Sequence, residues 1–182
     1  TVPLTIERAQ HFRPGDLGLK VMRIPHHAMG KEPHSHEFEE LVVITAGRGE
    51  HLVNGRRYAI ERGDVFVILG STAHCYPKVE GLGLINVLFD PPNLRLPLHD
   101  LTAAPAYVAL FQIEPRIRRQ RSFQNRLRLD RRDLRELLGL IGELEGELHS
   151  PAPGHQFAAL TQWMRIVVFL SRLYMEETSG QS

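Results

Sequence analysis

At 182 residues, with 42% apolar and 24% charged side chains, the chain is long enough for one ordinary domain with a small appendage and too short for two large ones. That composition excludes a disordered or fibrous chain, and a formal net charge of +1 leaves no overall field to draw the molecule onto nucleic acid or an acidic membrane. Cys75 is the only cysteine, which excludes an internal disulfide framework and an all-cysteine metal site and fits a reducing, cytoplasmic setting.

Thr1 to Gln10 lack the apolar core of a signal peptide, and no stretch approaches the roughly 20 apolar residues of a membrane span. A chain that opens without methionine is expected to be trimmed, excerpted or processed. From about Pro3 to Leu129 short apolar runs alternate with Gly, Asn, Asp and Pro, the pattern of an all-β sandwich or barrel. The clearest strands are Phe38 to Ala46, Glu50 to Val53, Arg57 to Ile60, Asp64 to Leu69 and Leu82 to Phe89. Asn54-Gly55 reads as a type I′ hairpin turn, since both residues tolerate positive φ. Gly63-Asp64 marks a second tight reversal.

After Leu129 the period becomes helical. Asp130 is placed to cap a helix whose third residue is Asp133, and Leu134, Leu137, Ile141, Leu144 and Leu148 follow in heptad order. Gly139, Gly142 and Gly146 each cost about 1 kcal/mol relative to alanine, so this helix depends on tertiary packing. The same five apolar residues are the expected dimerisation set, buried against a partner chain or against a second helix of their own chain. Pro151 to Gly154 ends the first helix. A second, from about His155 to Glu177, carries a wide apolar face of Phe157, Leu160, Trp163, Met164, Val167, Leu170 and Tyr174. The expected fold is mainly β with α: a jelly-roll-like barrel over 1–129, then an antiparallel helical pair over 130–182.

The residues that carry chemistry open the best strand. In His34-Ser-His36-Glu-Phe-Glu-Glu40 an extended backbone sends His34, His36 and Glu40 to one side. A later strand and turn supply His74, which a closed barrel can bring beside them. Three imidazoles and one carboxylate suit Zn, Ni, Mn or Fe(II) with positions left open for water or substrate. The same four side chains could instead hydrogen-bond a small ligand in a polar pocket with no metal required. The order and spacing resemble the cupin motifs, in which a His-x-His-x3-Glu-x6-Gly strand is completed by one later histidine. The second motif departs from that pattern, with Leu69, Gly70 and Ser71 where Pro-x-Gly is usual and Lys78 where Asn is usual.

A longer stretch narrows the resemblance. His34-x-His36-x-Phe38-x-Glu40-Leu-Val-Val-Ile44, then Gly47-x-Gly49-x-His51-x-Val53-Asn54-Gly55, Tyr58-x-Ile60, Gly63-Asp64-x-Phe66-x-Ile68, resembles the N-terminal sensory domain of AraC/XylS-family regulators. Within that family His51, the Asn54-Gly55 turn and Leu82-x-Leu84-x-Asn86-Val-Leu-Phe89 look most like activators of the rhamnose regulon. The resemblance implies a non-catalytic cytoplasmic domain that binds a small sugar in its barrel and forms a homodimer through its helices. It also implies a C-terminal helix-turn-helix domain as the only DNA reader, so the native chain is expected to continue past Ser182 by about 100 residues. The expected ligand-facing residues are His34, His36, Glu40 and His74, with His51, Asn86 and Arg23 added as polar groups on otherwise apolar strands.

Two rivals share these residues. A cupin metalloenzyme, such as a sugar isomerase or dioxygenase, would use the full ligand set but leaves the helices unexplained; so does a carbohydrate-binding module without signalling. The arginines at 116, 118, 119, 121, 126, 128, 131 and 132 crowd the junction and could contact phosphates. With Leu127 and Leu129 alternating between them and no stacking aromatics, they read as the solvated side of an edge strand.

Overall fold

A computed structural model describes residues 4–30, 32–94, 111 and 127–179. Among these residues eight strands form one sheet: β1 (Leu4–Ile6), β2 (Leu19–Ile24), β3 (His34–His36), β4 (Glu39–Val53), β5 (Arg56–Glu61), β6 (Asp64–Ile68), β7 (His74–Phe89) and β8 (Leu127–Arg128). Helices α1 (Arg131–Leu148) and α2 (His155–Ser179) follow. The strand order is β1-β3-β7-β4-β6-β8, with β2 also paired to β7 and β5 to β4.

The long strands β4 and β7 run antiparallel along most of their length and exchange their other partners midway. The first half of β4 pairs with β6 and the second half with β5, while β7 takes β3 at His74 and β2 from Leu84 onward. This exchange curls the sheet on itself. The bend falls at the register shifts between Ile44 and Arg48. Gly47 sits there at φ +67, and a Cβ on it would lie 2.2 Å from the Gly81 carbonyl oxygen, so only glycine fits.

The bend also explains why two expected strands, Phe38–Ala46 and Glu50–Val53, are one element: the bulges let the chain turn without leaving the ladder. β7 likewise starts at His74 rather than Leu82, because Pro77 to Gly81, between its buried ends, are exposed or half-exposed and lack a clean apolar alternation. The Asn54-Gly55 turn is as expected, with φ of 47 and 78.

Residue parity on β4, β6 and β7 divides the core in two. Val42, Ile44, Phe66, Ile68, Tyr76, Leu82 and Leu84 pack inside the curl. Leu41, Val43, Val65, Val67, Ile85, Val87 and Phe89 face outward into a larger core shared with both helices. These central strands are therefore buried on both faces.

α1 is capped as its sequence predicts: the Asp130 carboxylate accepts hydrogen bonds from the backbone N–H groups of Arg132 and Asp133, each at 2.8 Å. Leu134, Leu137, Ile141 and Leu144 are fully buried in the core shared with α2 and the sheet, and Leu148 is packed against it. Burial within the chain is the second of the two expected arrangements, since an amphipathic helix covers its apolar stripe within its own chain first. α2 returns antiparallel, Arg165 reaching back to Glu143 at 2.8 Å and His155 to the Glu147 carbonyl at 3.3 Å. It buries Trp163, Ile166, Val167, Leu170 and Tyr174. Phe157, expected on that face, is instead 76% exposed at the start of the helix.

β8 has the edge character read from its sequence, with Leu127 and Leu129 buried and Arg128 outward. Arginines 116, 118, 119, 121 and 126 lie outside the described residues. No helix among the described residues is long and apolar enough to cross a membrane.

Candidate functional site

The inner face of the curl gathers histidines from three strands. β3 contributes His34 and His36, β4 contributes His51 and Glu40, and β7 contributes His74, which is paired in register with His34. The ligand nitrogens of His34, His36 and His74 lie within 4.8 Å of one another. His36 and His74 approach most closely, Nε2 to Nε2 at 3.5 Å.

Two groups flank this trio. A Glu40 carboxylate oxygen lies 3.5 Å from Nε2 of His36, and Nε2 of His51 lies 3.1 Å from Nδ1 of His74. His36, Glu40, His51 and His74 are all buried, and His34 is half-buried at the mouth. The expected four-ligand set is thus divided: three histidines share a centre, and Glu40 stands beside them, outside the convergent group.

Aromatic rings fix the geometry. His36 stacks on Phe38 at 5.0 Å, and His51 lies between Phe66 and Tyr76, each at 4.8 Å. His27 meets Tyr76 edge-on at 4.7 Å. Sequence reasoning missed Tyr76 and His27. Tyr76 was within reach of it, since it follows His74 by two residues on the same strand and so shares its face.

Burial disfavours charge on the groups of the cluster. Desolvation, with smaller contributions from His34 and His11, pushes His36 down to about 4. The same cause, with the neighbouring histidines, holds His74 well below its ordinary value, and His34 is lowered too. Glu40 moves the other way, raised by burial to about 7. The Tyr76 hydroxyl is raised by burial and by Glu40, so it stays protonated.

Uncharged imidazoles and a carboxyl that holds its proton up to about pH 7 are hydrogen-bonding groups, and several have unused capacity. Among the described residues His36 Nδ1, the Tyr76 hydroxyl, Thr72 Oγ1 and Asn86 Oδ1 are buried with no hydrogen-bond partner inside the protein. Asn86 lies on the inner parity of β7, between Leu84 and Leu88. Arg23 does not join the group. It pairs with Ile85 of the outer face, and its Nε donates to Glu145 of α1 at 2.8 Å. Alternation places Arg23 on one side of its strand without telling which side is inward.

A groove of about 750 Å³ runs between α1 and α2, lined by Asp133, Glu136, Leu140, Met164, Val168 and Arg172 among others.

Comparison with known proteins brings these observations together. The family model described as AraC-like ligand binding domain matches residues 22–167. The HTH-type transcriptional activator RhaR of Escherichia coli (strain K12) is 32% identical over 139 residues, 76% of this chain and 45% of that protein. RhaR of Shigella flexneri matches with the same identity and coverage. The chain thus spans about half the length of the curated relatives it matches. Among solved structures, a cupin protein from Bacteroides fragilis is similar over 40% of this chain and 64% of its own, with 20% identity and a TM-score of 0.34.

Proposed function

Because the chain belongs to the family of AraC-like ligand binding domains, we propose that its inner sheet face is the pocket of an effector sensor within a longer, DNA-binding transcription regulator. The observation that carries this reading is the buried polar cluster of His36, Glu40, His74 and Tyr76, in which burial disfavours charge, on strands whose opposite face seats the helices. A neutral ligand rich in hydroxyls suits such a cluster, since each hydroxyl can both donate and accept where protein groups lack partners. We take the effector to be a monosaccharide, with L-rhamnose the first to try because the similar proteins are RhaR activators.

Signalling requires the ligand to prefer one conformation, and a tenfold preference corresponds to about 1.4 kcal/mol. The route is short. Glu40 and Val42 face the pocket, while their neighbours Leu41 and Val43 face α1 and α2. The domain pairs with a second copy through the outer side of α2, where Phe157, Met164, Val168 and Met175 are spaced as a heptad seam and are exposed or half-exposed. DNA contact belongs to the helix-turn-helix part of the full-length protein.

The convergent histidines favour a second reading of the same pocket. A divalent transition metal fits them: all three offer neutral nitrogens within 4.8 Å of one another, and nitrogen donors suit Zn, Ni or Fe(II). His34, His36 and His74 would hold it, and it would supply a Lewis acid to which a sugar hydroxyl or a carboxylate can bind. In this reading Glu40 balances its charge from beside His36.

Thermal unfolding against a panel of monosaccharides, with and without prior chelation, tests both readings. A ligand present at a hundred times its Kd adds about 2.7 kcal/mol. A sugar-specific rise that survives chelation is the expected result for the metal-free sensor; a midpoint that falls on chelation and answers to no sugar favours a metal centre and revives the enzyme reading.

A further inference from the structure

His51 takes no part in the convergent trio, yet it is the most deeply buried histidine of the cluster, 1% exposed, and its place is fixed on both sides by the rings of Phe66 and Tyr76. Its Nε2 lies 3.1 Å from the Nδ1 of His74. A hydrogen bond between two imidazoles that share one proton has two possible senses, with opposite consequences at the far side of His74. If His51 donates, His74 carries its own proton on Nε2 and directs an N–H at the centre of the site. If His74 donates, its Nε2 is bare and presents a lone pair there.

We propose that His51 is the positioning residue of the three-histidine centre: it accepts the Nδ1 proton of His74 and so keeps the Nε2 lone pair of His74 aimed at a divalent cation shared with His34 and His36. The inference rests on the metal reading above. Histidines that bind metals need such a partner behind the ring to fix tautomer and orientation, a place normally filled by a carboxylate or carbonyl. The two remaining contacts of His74 agree with this assignment. Its Nε2 faces Nε2 of His36 at 3.5 Å, a separation at which two bare nitrogens can meet one ion but make a poor hydrogen bond. Its ring also lies 4.5 Å from that of His34, and one ligand nitrogen from each of the three histidines lies within 4.8 Å of the others. Clamped between two aromatic rings, His51 has no freedom to swing away and leave His74 to rotate.

The test uses Co(II) as probe, followed by its visible absorption, on the wild-type chain and on His51→Gln and His51→Leu, with circular dichroism to confirm folding. Glutamine keeps an acceptor near the position of Nε2, and leucine removes it. The expected result is a 10- to 100-fold loss of Co(II) affinity in His51→Leu with an altered absorption band, and recovery of both to near wild type in His51→Gln. Unchanged affinity and spectrum in His51→Leu would overturn the inference while leaving the metal reading intact.

A wild-type chain that binds no Co(II) removes the metal reading, and the tautomer of His74 then decides the inference separately. Nitrogen-15 NMR of the metal-free wild type is expected to find the His74 proton on Nδ1; a proton on Nε2 refutes the assignment.

Discussion

Asp64 and Arg128 face each other across the pairing of β6 with β8, and the guanidinium grips a carboxylate with no exposure to solvent, Nε to Oδ1 at 2.8 Å and Nη2 to Oδ2 at 3.2 Å. Asp64 also accepts the backbone N–H of Glu61 at 2.8 Å, and Arg128 reaches the Glu61 side chain. This fork ties the sheet to the segment that leads straight into α1. Removing it in Arg128→Ala leaves a buried carboxylate without its cation. The expected cost is about 2 kcal/mol, below the usual range for a buried pair because water reaches the guanidinium. Urea unfolding measures it, and Arg128→Lys should recover only part, since an ammonium cannot form the fork. A loss under about 0.5 kcal/mol would mean that the pair does not anchor β8.

Glu40 sets a pH dependence whose sign follows from burial. Its folded value, about 7, lies above the ordinary carboxyl value of 4.5, so its stability contribution is complete below 4.5 and is lost as pH rises through 7. His36, lowered to about 4, and His74, held well below its ordinary value, act oppositely: their contribution is complete above about 6.5 and is lost as pH falls. The chelated protein should therefore be most stable near pH 6.5. Glu40→Gln is expected to abolish the decline above that pH, gaining on the order of 3 kcal/mol at pH 8. Denaturant midpoints across pH 4 to 9 provide the check, and a variant with the same alkaline decline would show that Glu40 is not its source.

Trp163 is the only tryptophan, and it packs at 4.8 Å against Phe89, whose strand carries Asn86 on its inner face. An effector in the pocket should change its emission, with a midpoint that matches the one from thermal shift. A sugar that stabilises the domain while leaving Trp163 silent would mean that pocket and helices are not coupled.

The two sides of the helical pair should respond differently to substitution. Ile141→Ala opens a cavity in the shared core and is expected to cost about 2–5 kcal/mol at any protein concentration. Val168→Glu, on the half-exposed side of α2, is expected to leave unfolding within about 0.5 kcal/mol and to weaken self-association. Sedimentation of both variants separates the roles. Association unaffected by Val168→Glu would rule out this face as the seam.

Much of the fold is legible in the residue order alone. The Asp130 cap, the Asn54-Gly55 turn and the convergence of His34, His36 and His74 are local or motif-bound, so spacing is enough to place them. What eludes the sequence depends on what lies opposite. Heptad spacing marks the buried stripe of α1 but does not say whether its own sheet or another chain covers it. Alternation puts Arg23 and Asn86 on defined sides of their strands, yet the curl of the sheet decides that one faces Glu145 and the other the pocket. The merging of two expected strands into β4 turns on bulges that have no residue signature of their own.

The centres of β4 and β7 have no solvent side, because each residue from Leu41 to Ile44 belongs to either the inner core or the seat of the helices. Such a strand has few positions at which sequence can drift. A substitution made for a new ligand at Val42 disturbs its neighbours, and those neighbours hold α1 and α2 in place. Divergence in what this domain senses is therefore channelled to the rim, to half-exposed residues such as His27 and His34, where chemistry can change without moving the frame that reports it.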